Sequence, residues 1–172
     1  MRVVITGGAG FLGRRLARAI LEGGHLTDAA GTEREVREIL LADIADADGF
    51  DDPRVHTLAG DIADPALVAT AIGSSTDSVF HLAAVVSGEA EANFDLGWRV
   101  NVDATRHLLE CCRALPRPPK VVFTSSVAVF GGALPDVVPD TGADAAVVLR
   151  RAKGRGRAAR ARLHAQGLPR WP

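Results

Sequence analysis

The chain has 172 residues, 47% apolar and 24% charged, with a formal net charge of −1. That is the ordinary composition of a globular protein of one domain, long enough to bury a core. No run approaches the roughly 18 consecutive apolar residues of a membrane span, and the start lacks the regions of a signal peptide, so the expected compartment is the cytoplasm. The only cysteines, Cys111 and Cys112, are adjacent in a predicted helix, where neighbouring side chains diverge. A reduced compartment fits them, and neither is expected to be a nucleophile. The near-zero net charge hides an asymmetry: residues 1–149 carry 12 Lys/Arg against 21 Asp/Glu, whereas residues 150–172 carry 8 Lys/Arg and no acid.

In chain order, the β-branched run Val3-Val4-Ile5 stops at Thr6-Gly7-Gly8-Ala9-Gly10-Phe11-Leu12-Gly13 and restarts as the helical pattern Phe11 to Leu21, which predicts strand, tight turn and helix. Glycines at 7, 10 and 13 allow the turn, permit close approach of a pyrophosphate and let the helix pack on the strand, while the helix N-terminus offers free N–H groups to an anion. Gly23-Gly24 end that helix. A polar segment leads to a second strand, Ile39-Leu40-Leu41-Ala42-Asp43, whose terminal acid is placed to accept from adenosine ribose hydroxyls and to repel a 2′-phosphate, which favours NAD over NADP. Thirty residues separate Gly13 from Asp43, against about 20 in the usual spacing, and we assign the excess to an insertion around Thr27 to Glu35. The plainer alternative is that Asp43 merely ends a strand before the acid-rich loop holding Asp46, Asp48, Asp51 and Asp52.

A third strand is expected over Val55 to Ile62, with Asp61 placed to accept from an adenine amino group and Ile62 to pack on the ring. Asp64-Pro65 opens a short helix through Ile72. The fourth strand, Ser78 to Val86, carries His81 between apolar neighbours, which reads as a packed strand histidine and not a general base. The small residues at its end would let a cofactor lie close. One helix is expected over Asn93 to Leu115, stopped by the prolines between 116 and 119. A fifth strand, Lys120 to Phe123, empties into Thr124-Ser125-Ser126, whose hydroxyls would either cap a turn or face the glycine turn's cleft. Alternating strands and helices give an α/β fold, a Rossmann-like, doubly wound parallel sheet with helices on both faces, as one truncated domain.

Six motifs in order, TGGAGFLG at 6–13, Asp43, GDI at 60–62, HLAA at 81–84, Asn101 and FTSS at 123–126, resemble the extended short-chain dehydrogenase/reductase family, in its NAD-dependent epimerase/dehydratase group. Within the group, residues 83–97 and 123–140 are similar to D-erythronate dehydrogenases, which oxidise a four-carbon sugar acid with NAD. The resemblance implies that Gly7, Gly10, Phe11, Leu12 and Gly13 hold the pyrophosphate, Asp43 the ribose, and Asp61 with Ile62 the adenine. It implies that Leu82, Ala83, Ala84 and Thr124 line the cofactor, that Asn101 supports it, and that Ser126 is the catalytic serine. NAD is the implied cofactor, no metal is expected, and the implied substrate is a small sugar acid or nucleotide sugar.

The family's proton transfer uses a tyrosine with a lysine four residues later, the ammonium lowering the phenol's pKa. This sequence contains no tyrosine. Residues 1–141 are therefore expected to be an NAD-binding Rossmann domain and 142–172 a basic, poorly ordered tail with at most a short helix near Ala158 to His164. We read the tail, from about Gly142, as a shifted frame: Val147 to Arg155 can be back-translated, among other choices, as GTC GTC CTA CGG CGC GCA AAA GGC CGC. Read from the second base they give SSYGAQKA, the missing pair, although the free third positions were selected to do so. On this reading the chain binds NAD and is catalytically crippled, and a homodimer would lack the family's usual interface helix. The competing expectations are a non-catalytic NAD-binding module whose basic tail contacts nucleic acid or an acidic partner, and a purely structural domain. RRAKGRGRAARAR has no interleaved aromatics to stack bases, so nucleic acid is not the expected partner.

Overall fold

Val3, Val4 and Ile5 are all fully buried, although successive side chains of a strand point to opposite faces. Both faces of their strand are therefore covered, the usual condition of a parallel sheet between helices. In the computed structural model, which describes residues 1–125, they lie in β1 (Arg2–Thr6), the central strand of a five-stranded sheet. The others are β4 (Glu38–Asp43), β5 (Val55–Ala59), β6 (Thr76–His81) and β7 (Lys120–Phe123), in the order β5-β4-β1-β6-β7. Every pairing in this sheet is parallel, and Ile5 stands beside Leu41 on one side and Phe80 on the other.

One face carries Val3, Ile5, Ile39 and Leu41 and packs on α1 (Phe11–Gly23) through Ala17 and Ile20. The other carries Val4, Leu40 and Val79 and packs on α2 (Pro65–Ala71) and α5 (Thr105–Ala114) through Val68, Ala71, Leu108 and Cys112. This is the doubly wound α/β arrangement that the alternating apolar pattern predicts, and the five expected strands are its five strands. Punctuation also follows the sequence. Gly24 takes the left-handed conformation at φ 68° and its N–H bonds to the Ile20 carbonyl, closing α1. Asp64 caps α2 by accepting from the Ala66 N–H at 2.9 Å, with Pro65 in the first turn.

Some boundaries differ. The insertion before Asp43 is an antiparallel hairpin, β2 (His25–Thr27) with β3 (Glu33–Glu35). Apart from the half-buried Leu26 its strands are exposed, and three residues each are too short to show an apolar alternation; Asp28 instead organises the turn by accepting from the Ala30 and Thr32 N–H groups. β5 ends at Ala59, not Ile62, because Gly60 adopts φ 156°, and β6 ends at His81, not Val86. The expected helix over 93–115 is observed as α4 (Phe94–Trp98), a π-helical turn (Arg99–Ala104) and α5, with α3 (Ser87–Ala92) ahead of them. Among the described residues no helix is long and apolar enough to cross a membrane, and no group of His, Cys, Asp and Glu could hold a metal ion.

Candidate functional site

Parallel strands bring their carboxyl ends to one edge, so Thr6, Asp43, Ala59, His81 and Phe123 mark a common rim. The chain leaves β1 toward β4 on one side and later fills β6 on the other, which makes the end of β1 the topological switch point where open α/β sheets bind ligands. The glycine turn sits there. Gly7 has φ 72°, and a Cβ on it would lie 2.8 Å from the Ala83 nitrogen. A Cβ on Gly13 would lie 2.2 Å from the Gly7 carbonyl oxygen, so Gly13 is what lets α1 start flush against the turn. Gly10 is less crowded, since a Cβ there would meet only the Gly7 oxygen, at 3.3 Å. At Gly8, not among the expected site residues, an added Cβ would lie 2.7 Å from the Leu41 Cβ, so this position is a glycine for packing reasons.

No side chain caps α1, so the N–H groups of its first turn, on Phe11, Leu12 and Gly13, have no capping side chain as a partner. Phe11 and Leu12 are 78% and 60% exposed, and Ile44 and Val86 on neighbouring loops are also exposed, a scatter of apolar side chains around the turn. Asp43 is tied to the same turn. One carboxylate oxygen accepts from the Ala9 N–H at 2.9 Å and the other from the Ile44 N–H at 2.7 Å, leaving each with a further lone pair.

Asp61 follows β5 and is engaged on both oxygens. Oδ1 accepts from the Ala63 N–H at 2.9 Å, and Oδ2 from the Arg99 guanidinium at 2.6 Å. The Ala63 N–H, then Arg99, hold its carboxyl below the usual carboxylate range. Arg99 was not legible as a partner in the sequence, since 38 positions separate it from Asp61. The Ile62 side chain is 8% exposed and belongs to the core cluster of Val4, Leu40 and Val68, which leaves little of it to stack on a ring.

Beyond β6 the chain runs extended. Leu82 and Ala83 are half-buried and Ala84 exposed, and the Leu82 N–H still bonds to the Thr6 carbonyl. Asn101, on the π turn, grips this segment from the helix side: its amide oxygen accepts from the Val85 N–H at 2.8 Å and its amide nitrogen donates to the Val85 carbonyl at 2.9 Å. Thr124 donates from both its N–H and its hydroxyl to the His81 carbonyl, at 3.3 and 3.2 Å. Ser126, the expected catalytic serine, lies outside the described residues, as do the tail and its shifted-frame segment.

Under this rim runs a buried polar chain that the sequence did not disclose. The Ala83 N–H donates to Thr6 Oγ1 at 3.2 Å, Thr6 Oγ1 is 2.6 Å from His81 Nδ1, and His81 Nε2 is 2.9 Å from Thr105 Oγ1, which donates to the Asn101 carbonyl at 3.0 Å. With the Thr105 proton given to Asn101, Nε2 donates to Thr105 Oγ1, and in a neutral ring Nδ1 then accepts from the Thr6 hydroxyl. Burial agrees, pushing the His81 pKa down to about 4. His81 is thus a structural strand histidine, as its apolar neighbours suggested.

Comparison with known proteins places the chain in a family. The NAD dependent epimerase/dehydratase family model matches residues 3–150. D-erythronate dehydrogenase of Cupriavidus necator is 56% identical over 140 residues, 81% of this chain and 43% of that protein. The crystal structure of a nucleoside-diphosphate-sugar epimerase from Agrobacterium tumefaciens superposes with a TM-score of 0.72 at 37% identity, over 81% of this chain and 41% of the other. A uronate dehydrogenase variant from the same organism, complexed with NAD, gives 0.60 at 25% identity, over 76% and 42%. The chain spans about two fifths of the length of the curated relatives it matches. It belongs to the NAD dependent epimerase/dehydratase family.

Proposed function

We propose that this member of the NAD dependent epimerase/dehydratase family is the cofactor-binding part of an NAD-dependent sugar-acid dehydrogenase, one that oxidises a secondary hydroxyl of a D-erythronate-like substrate. The observation that carries the reading is the glycine turn with Asp43 fastened to it through the Ala9 N–H, at the switch point of the sheet. The cradle fits a dinucleotide: a side chain on Gly7 would collide with backbone, α1 begins without a cap, and a carboxylate with free lone pairs stands beside the turn.

When bound, NAD would accept a hydride from the substrate carbon. The chain's own residues bind and orient. Gly7, Gly10, Phe11, Leu12 and Gly13 would carry the pyrophosphate on backbone N–H groups and Asp43 the adenosine ribose. Asp61 and the backbone of Ile62 would face the adenine. Leu82, Ala83, Ala84 and Thr124 would line the nicotinamide side, with Asn101 holding their segment in place through Val85. Ser126 is assigned to the substrate hydroxyl. The sequence holds no tyrosine to take the hydroxyl proton, and general acid–base assistance is worth on the order of 10² to 10⁴ in rate, so this chain by itself should bind NAD and turn over very slowly. We place it in the cytoplasm, with its two cysteines unpaired.

Isothermal titration calorimetry and thermal melting with NAD⁺ test the reading. At a concentration a hundredfold above Kd, binding stabilises the folded state by about 2.7 kcal/mol and raises the melting temperature accordingly. No heat and no melting shift with NAD⁺ at millimolar concentration would leave a purely structural domain.

A further inference from the structure

Asp61 and Arg99 meet from separate parts of the fold. Asp61 follows β5, and Arg99 is the first residue of the π-helical turn between α4 and α5. Their contact, Nη1 to Oδ2 at 2.6 Å, is a charge-assisted hydrogen bond. The Ala63 N–H fixes the carboxylate at its other oxygen, Oδ1. Oδ1 therefore faces the backbone that follows Asp61 and Oδ2 faces the guanidinium, and a carboxylate held at both oxygens does not turn freely.

Each oxygen keeps a further lone pair, and among the described residues Arg99 spends one of its five N–H groups on Asp61. The side chains are 35% and 51% exposed, so both remain open to a ligand. Side by side they offer an acceptor next to a donor. The edge of an adenine carries the complement, an amino donor flanked by ring acceptors, N1 on one side and N7 on the other. A base whose amino group donates to Asp61 thus turns one ring nitrogen to the backbone of residues 62 and 63 and the other to Arg99. The turn that carries Arg99 also carries Asn101, which holds both backbone groups of Val85. Short π-helical pieces recur at functional sites, and this one braces two separate stretches of the rim.

We propose that Arg99 is a base-reading residue: its guanidinium donates to a ring nitrogen beside the adenine amino group that Asp61 accepts, and it holds the Asp61 carboxylate in position to do so. The inference rests on the reading of the glycine turn and Asp61 as a dinucleotide site. A merely structural Arg99, tying the loop after β5 to the π turn, would weaken every adenine ligand by the same factor.

Calorimetric titration of the native chain and Arg99→Met with NAD⁺ and with its 1-deazaadenine and 7-deazaadenine analogues, in which C–H replaces one ring nitrogen, decides it. An exposed ion pair adds little to stability, so the variant keeps the fold. One of the two analogues should bind the native chain about tenfold more weakly than NAD⁺, the usual contribution of a hydrogen bond from a charged donor. Arg99→Met should erase that difference and leave the other analogue's affinity relative to NAD⁺ as it is in the native chain. Analogue-to-NAD⁺ ratios that are the same in the two proteins overturn the role of Arg99 while NAD⁺ binding by the native chain still stands. Nicotinamide hypoxanthine dinucleotide, which carries an oxo group in place of the amino group, tests the premise. If it binds the native chain as tightly as NAD⁺, or if NAD⁺ itself does not bind, the placement of the base at Asp61 falls and this inference falls with it.

Discussion

The buried chain through His81 makes stability depend on pH in a way that can be worked from its geometry. His81 is 1% exposed and its folded pKa is pushed down to about 4 by burial, against a usual value of 6.5. A base whose folded pKa is depressed binds its proton more readily when unfolded. The stability it permits is therefore complete above about pH 6.5 and is lost as pH falls from there through 4. A shift of one unit is worth 1.36 kcal/mol, so between pH 7 and pH 4.5 this one group should cost the folded state about 2 kcal/mol. The comparison protein is His81→Gln, which does not titrate. It cannot reach both hydroxyls across the span of an imidazole, and leaving one of Thr6 and Thr105 unpartnered should cost about 1–3 kcal/mol at pH 7. Urea unfolding followed by far-ultraviolet circular dichroism at both pH values gives the difference. Other titrating groups are shared by the two proteins and cancel, so the native chain should lose about 2 kcal/mol more than the variant on acidification. Equal losses in the two proteins would refute the neutral, doubly bonded imidazole.

Other outcomes follow from single contacts. Gly13→Ala places a Cβ 2.2 Å from the Gly7 oxygen, and the clash should outweigh alanine's helix preference of up to about 1 kcal/mol, so that thermal melting shows a net loss of about 2 kcal/mol or more. Asn101→Ala removes both hydrogen bonds to Val85 and should destabilise the fold by about 1–3 kcal/mol while weakening NAD⁺ binding in calorimetry, as the segment from Leu82 to Val85 loses its brace. Sequencing the coding DNA around Thr141 tests the shifted frame: the expected result is codons for Val147 to Arg155 that permit TAC when read from the second base, and incompatible codons would dismiss it.

How far the sequence could be read depended on whether a feature was local. The glycine turn, the helix start after it, the Gly24 stop and the Asp64-Pro65 start are each decided within a few residues, and each was legible because steric freedom or a cap leaves its mark in adjacent residue types. The parallel sheet was legible for a related reason: strands buried on both faces must be continuously apolar, as Val3-Val4-Ile5 and Ile39-Leu40-Leu41 are. The hairpin over 25–35 was not, because two three-residue strands with Leu26 alone turned toward the core are held by backbone bonds that leave no hydrophobic pattern.

What the tertiary structure decided is where polar groups separated in sequence come together. Nothing in a list of residues joins Arg99 to Asp61, Asn101 to Val85, or Arg14 to both Ala9 and Asp48. His81 shows the division most plainly. Its apolar neighbours alone marked it as buried, yet its tautomer and its two hydroxyl partners, 75 and 24 positions away, exist only because the sheet sets β1 beside β6 and packs α5 over them. Burial obliges a polar group to find a partner, and folding alone chooses which one it finds.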